Sequence, residues 1–211
     1  MVADGTRKGL VRRAFRLEWL TAGWMLLEAG VAIASGLAAH SLSLVAFGAD
    51  SLIELASAGV LLWRLRVELL HGEEFPERIE HQAGRISGVL LFVLAAYVVA
   101  TAIYGLTAQI GQEFSTPGLI LTALAIPLMW RLAAMKLRVA DQIGSRALRA
   151  DAVEAVACGY LSGAVLLGLI VQFLMPDWWW VDSVASFAIA ILLVKESREA
   201  WRGEAEEGSE A

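Results

Sequence analysis

Asp50 and Glu54 stand four residues apart inside a long apolar stretch, and a second such stretch holds Asp151, Glu154 and Cys158. On a helix, positions i and i+4 share a face, so Asp50 and Glu54 point the same way, as do Glu154 and Cys158. Charged groups deep in a membrane cost a few kcal/mol or more each, so they face a cavity, a partner or an ion. Carboxylate oxygens and a thiolate suit a tetrahedral divalent ion, which takes such donors at about 2.0 to 2.3 Å. Asp50, Glu54, Glu154 and Cys158 are therefore the candidate metal ligands. For Cys158 a second reading stays open, in which the thiol is a small buried hydrophobe.

The elements that must position these groups are membrane helices. Of 211 residues 58% are hydrophobic and 18% charged, with a mean hydropathy of +0.62, which is too apolar for an ordinary soluble domain. One cysteine excludes an internal disulfide, a zinc finger and a redox cysteine pair. A hydrocarbon core of about 30 Å needs about 20 apolar helical residues, and six stretches qualify: 17–39, 42–63, 86–106, 118–137, 150–174 and 178–194. The fourth is the weakest, because Pro127 interrupts it and Arg131 and Lys136 lie near its end, where both cations can snorkel. The first follows a basic run, as a signal peptide would, but its length and its Glu18 and Glu28 indicate a retained span.

All 17 Lys and Arg residues fall in the N-terminal segment, the second connection, the fourth connection with the adjoining end of the fourth span (Arg131 and Lys136), and the C-terminal tail. By the positive-inside rule, six spans with both termini cytoplasmic fit that distribution without exception. Trp178, Trp179 and Trp180 then lie at the outer interface, with Trp63 and Trp130 near the inner one. The fold class expected is an all-α membrane protein, a six-transmembrane-helix bundle with no C-terminal soluble domain. Its parts are a basic cytoplasmic segment at 1–16, the membrane domain at 17–202 and an acidic, disordered tail at 203–211. Counting helical rise, antiparallel second and fifth spans set Asp50 opposite Cys158 and Glu54 opposite Glu154.

These residues resemble a known family. Ser41 and Ser43 leading to Asp50 and Glu54 are similar to the second span of cation diffusion facilitator (cation efflux) transporters, where a Ser-rich start leads to Asp-x-x-x-Asp. Asp151 between two alanines, followed by Glu154 and Cys158, resembles their fifth span. Arg78-Ile-Glu80 resembles the start of the third, and Asp182 matches an acidic residue opening the sixth. Glu54 replaces an Asp, Glu154 stands where His or Asp is usual, Cys158 replaces Asp, and the family's metal-sensing domain does not follow the sixth span.

The resemblance implies a transporter that exports Zn2+ or a similar ion (Fe2+, Co2+, Mn2+, Cd2+) from the cytoplasm; proton antiport, a homodimer and a prokaryotic inner membrane are expected alongside it. Carboxylates serve both halves of such a cycle: metal needs them deprotonated, and burial favours their protonated form when the metal leaves. Glu28 is a candidate proton carrier or further ligand, or a protonated group bonded to a neighbouring helix, and Asp151 and Asp182 are candidate accessory or proton-coupling residues. His71, Glu74 and His81 form a weaker second metal site, or part of a solvated charge run. A competing reading is a non-transporting membrane partner or metal receptor. An enzyme is not expected, because there is no His-Glu-x-x-His and no phosphate-binding cation beside Asp50 or Glu154. No prosthetic group and no nucleic-acid partner are expected. The partners are the lipid bilayer, the metal and protons.

Overall fold

The computed structural model describes residues 2–71, 77–109 and 113–207, and the fold is six helices. They are α1 (Val2–Ala38), α2 (Leu42–His71), α3 (Glu77–Ala108), α4 (Thr116–Ile143), α5 (Arg146–Leu174) and α6 (Val181–Glu207). Among the described residues there is no strand. Neighbours pair as α1 with α2, α3 with α6 and α4 with α5, while α2 also touches α3, α5 and α6 and so sits at the centre.

The helix ends follow local chemistry. Ser115 caps α4 by accepting from the Gly118 backbone N–H at 3.1 Å, with Pro117 in the first turn, where no intrahelical donor is lost. Gly144, at φ 70°, closes α4 in the left-handed conformation, and Ser145 then caps α5 by accepting from Leu148. Pro127 does not end α4, which runs through it as one helix. The α1–α2 pair is close because Gly36 and Gly48 present no side chain. A Cβ at Gly36 would lie 2.9 Å from the Val45 backbone nitrogen, and one at Gly48 would lie 3.0 Å from that of Ile33.

α1 and α2 run well past their apolar stretches. The expected N-terminal segment at 1–16 is largely the start of α1: Val11 and Ala14 are buried, and Arg7 pairs with Glu68 of α2 at 3.1 Å. Val11 and Ala14 belong to an apolar layer with Leu61 and Leu65 of α2, Val139 and Ala140 of α4, and Leu148 of α5. This layer marks the basic end of the bundle.

Five helices, α1 to α5, are long and apolar enough to cross a membrane, which makes this an integral, multi-pass membrane protein. α6 falls short by that measure. Residues 178–180 form turn rather than helix, so its apolar part covers only 181–194, about 21 Å at 1.5 Å per residue, before Lys195. α6 is nonetheless packed into the bundle through Ala185, Ile189, Ala190 and Leu193, and Ser197 Oγ donates to the Gly88 carbonyl of α3 at 2.8 Å. It also continues to Glu207, so 203–207 of the expected disordered tail are helical.

Gly48→Ala is expected to destabilise the protein by about 1 to 3 kcal/mol, because its methyl meets the α1 backbone. Gly59→Ala, whose Cβ would meet nothing within 4 Å, should be neutral or stabilising by up to about 1 kcal/mol. Thermal unfolding of the two purified variants checks the contrast; equal effects would mean that the α1–α2 approach does not depend on Gly48.

Candidate functional site

Counting 1.5 Å per residue from the apolar layer at the basic end gives the acidic residues a depth. Glu18 on α1, Lys136 on α4 and Asp151 on α5 stand about 5 Å above it, Glu54 and Glu154 about 10 Å, and Cys158, Asp50 and Glu28 about 15 to 20 Å. They come from four helices and form a column through the bundle interior.

At the deepest level Glu28, Asp50 and Cys158 are fully buried. The Cys158 thiol points at Glu28 Oε1 across 3.9 Å, a weak sulfur hydrogen bond. Asp50 lies within Coulombic range of Glu28 and of Glu154, so three helices bring acidic groups toward one region. Neither oxygen of Asp50 has a hydrogen-bond partner. A buried polar group left without a partner costs about 1 to 3 kcal/mol, and a charged one more, so the burial of Asp50 is a cost that no hydrogen bond in this region offsets. Glu54 is buried as well, and Glu154 keeps part of its surface accessible. Among the described residues no group of three or more His, Cys, Asp or Glu side chains lies close enough together to hold a metal ion. Glu28 is thus drawn into the same region as the expected ligands, as the recorded partner of the Cys158 thiol.

The level below holds what the sequence did not disclose. Lys136 does not snorkel to the surface: its side chain is fully buried, with Nζ 2.8 Å from Glu18 Oε2 and 2.5 Å from Asp151 Oδ2. The apolar packing of α1, α4 and α5 at the basic end turns all three side chains inward, and water does not reach the ammonium. Asp151, expected as an accessory group, is one arm of this triad. Glu18, which the sequence marked only as a carboxylate in the first span, is the other. A signal was available: all three residues lie within one or two positions of the same end of their apolar stretches, so one cation and two carboxylates shared a depth.

Asp182, expected as an accessory or proton-coupling residue, takes a hydrogen-bonded place at the start of α2. Its carboxylate accepts from Ser41 Oγ at 2.7 Å, Leu42 N at 2.7 Å, Ser43 N at 3.2 Å and Ser43 Oγ at 2.6 Å. An anion at the positive end of α2, with every donor engaged, is a cap supplied by another helix. The Ser-rich start of α2 has a structural reason in this cap, which fixes where α2, and hence Asp50, begins. Of the weaker second metal site, Glu74 and the side chains of His71 and His81 lie outside the described residues.

Residues 20–203 match the family described as the cation efflux transmembrane domain. The chain belongs to the cation efflux family. This is a family of cation transporters, with divalent cations as substrates and the bilayer as setting, and not one of enzymes. Among curated proteins it is similar to Transmembrane protein 163 of Xenopus laevis, 23% identical over 184 residues, which are 87% of this chain and 64% of that protein. The chain thus spans less than two thirds of that relative's length. The relative is a frog protein and gives no support to a prokaryotic inner membrane.

Asp182→Ala is expected to cost about 3 kcal/mol or more, since four hydrogen bonds to a charged acceptor are lost at once. Asp182→Asn should recover little, because its amide NH2 would face donors. Thermal unfolding of both checks this, and a fully stable alanine variant would remove the cap from the account of α2.

Proposed function

We propose that this chain is a divalent-metal transporter that exchanges metal on one side of the membrane for protons on the other, with Asp50, Glu54, Glu154 and Cys158 as ligands and Glu28 as a proton carrier beside them. The observation that carries the reading is Asp50: a fully buried carboxylate with two unpartnered oxygens, within Coulombic range of Glu28 and Glu154, in a chain of the cation efflux family. Such a group has a use for an arriving cation, and a use for protons when the cation leaves.

Zn2+ is the first substrate to test, since it accepts both carboxylate and thiolate donors; Fe2+, Co2+, Mn2+ and Cd2+ follow from the same donor set. Export from the cytoplasm is carried by the family resemblance, and a homodimer is proposed alongside it. All six helices cross the bilayer in this reading, α6 with the help of its packing against α3 and α5, and both termini are cytoplasmic because the basic end is then the inner one.

Asp50→Asn and Glu154→Gln should lower metal flux in proteoliposomes by more than about 100-fold, beyond the 10- to 100-fold loss typical of residues that merely support a metal ligand. Flux should move protons the opposite way and respond to an imposed proton gradient. Cys158→Ser should weaken Cd2+ and Zn2+ relative to Mn2+. Metal flux indifferent to any proton gradient would remove the antiport. Absence of flux from wild-type protein would favour a metal receptor or partner that keeps the fold.

The arrangement of the ends is tested separately. Single cysteines introduced into a Cys158→Ser background at Arg7 and at Glu74 should resist an impermeant thiol reagent in intact cells and react after lysis. Labelling of either in intact cells would overturn the orientation.

A further inference from the structure

Lys136 is the one buried Lys or Arg among the described residues, and it sits where the column of carboxylates meets the basic end of the bundle. Its ammonium lies 2.8 Å from Glu18 Oε2 and 2.5 Å from Asp151 Oδ2, so a single positive charge is clasped by carboxylates from α1 and α5. Two features go beyond an ordinary ion pair. Glu18 is fully buried, yet its Oε1 accepts no hydrogen bond, so the clasp keeps an unused acceptor. Glu154, one turn further in on α5, is within Coulombic range of both Asp151 and Lys136. With its carboxylates ionised, this group of three acids and one ammonium is short of positive charge by two, the charge of one divalent cation.

We propose that the Glu18–Asp151 pair is a cation-binding station on the route between the basic end and Glu154, and that Lys136 is its tethered occupant, displaced when a divalent cation arrives. The inference rests on the transport reading and adds to it a residue that competes with the substrate. The oxygens that hold an ammonium at 2.5 and 2.8 Å already converge on one point, and the unused Glu18 Oε1 offers a further donor. Lysine suits this task because its compact charge sits on a flexible four-carbon stem, which can withdraw. A divalent ion draws twice the Coulombic attraction from the same carboxylates and can outcompete the ammonium. The ammonium's return then helps expel the metal, so the station is never left as two bare buried carboxylates, which would be costly. Carboxylate oxygen without sulfur or imidazole favours harder ions here, Mn2+ among them.

The test counts bound Mn2+ per chain by electron paramagnetic resonance on detergent-purified protein, with helical content and monodispersity checked for each variant. Lys136→Met removes the competitor while keeping an unbranched side chain of similar length, so at Mn2+ too dilute to displace the wild-type ammonium it should bind one Mn2+ more per chain than wild type. That extra ion should vanish in Glu18→Gln/Lys136→Met and persist in Asp50→Asn/Lys136→Met. A folded Lys136→Met protein with wild-type stoichiometry would overturn the proposal. Lys136→Arg gives an independent reading: its fork grips two carboxylates at once, so metal should displace it less easily, raising KM for flux by roughly tenfold with a smaller change in kcat. A purely structural ion pair would leave that KM at the wild-type value, and this result too would overturn the proposal. The extra Mn2+ in Lys136→Met together with no flux from wild type would refute the transport reading and leave the station standing.

Discussion

Removing carboxylates from water is the constraint on which this bundle is organised. Each buried charge forfeits several kcal/mol of solvation, which only close partners restore. The chain meets that cost to three different degrees. Asp182 is fully satisfied by two serine hydroxyls and two backbone amides at the start of α2. Glu18 and Asp151 share one ammonium between them. Asp50 has no hydrogen-bond partner at all. This gradation separates structural from working groups better than residue type does, because all four are acids inside the bundle. A group already holding four donors has nothing to gain from a passing ion, whereas one with two open oxygens has everything to gain.

The helix packing serves this distribution. α2 carries Asp50 and Glu54 and touches α1, α3, α5 and α6, so its carboxylates are walled by other helices and not by lipid. Gly36 and Gly48 bring α1 within backbone distance on one side, which places Glu28 within reach of the Cys158 thiol across the interior. The Asp182 cap ties the start of α2 to α6 and fixes its axial position, and the register of Asp50 against α5 follows from that anchor. At the opposite end, the apolar layer of Val11, Leu61, Val139 and Leu148 continues α1 and α2 beyond the membrane-length stretch and seals the bundle beneath Lys136.

Much of this was legible from residue spacing. The i, i+4 pairs on the second and fifth apolar stretches identified α2 and α5 as the helices bearing the candidate ligands, and five of the six stretches correspond to helices long enough to cross. What spacing could not supply was the partner across an interface. Lys136 near the end of a stretch looks able to snorkel, but direction around the helix decides its fate, and its direction is inward. Asp182 looked like a proton-coupling acid because position along a helix says nothing about which helix start it faces. Helix ends were misjudged for a related reason: 42–63 was bounded by apolarity, whereas α2 runs on to His71, its extension packed against the start of α1 and paired through Arg7 and Glu68. Apolar stretches report the thickness of the bilayer, not the length of the helix.

The two unpartnered oxygens of Asp50 bear on the chemistry that the proposed site would have to perform. A structural metal centre closes four donors around its ion and gains folding stability from doing so. A transport site cannot afford that depth, because every kcal/mol of binding must be overcome again at release. Two differences from the family pattern act in the same direction: Glu54 and Glu154 have one methylene more than Asp, so their carboxylates would have more freedom in the proposed site. In the proposed site the Cys158 thiol adds a donor that needs deprotonation before it can bind metal, with the Glu28 carboxylate 3.9 Å away to take up the proton. A thiol that must lose a proton and an adjacent acid to receive it would tie the affinity of that proposed site for metal to proton movement.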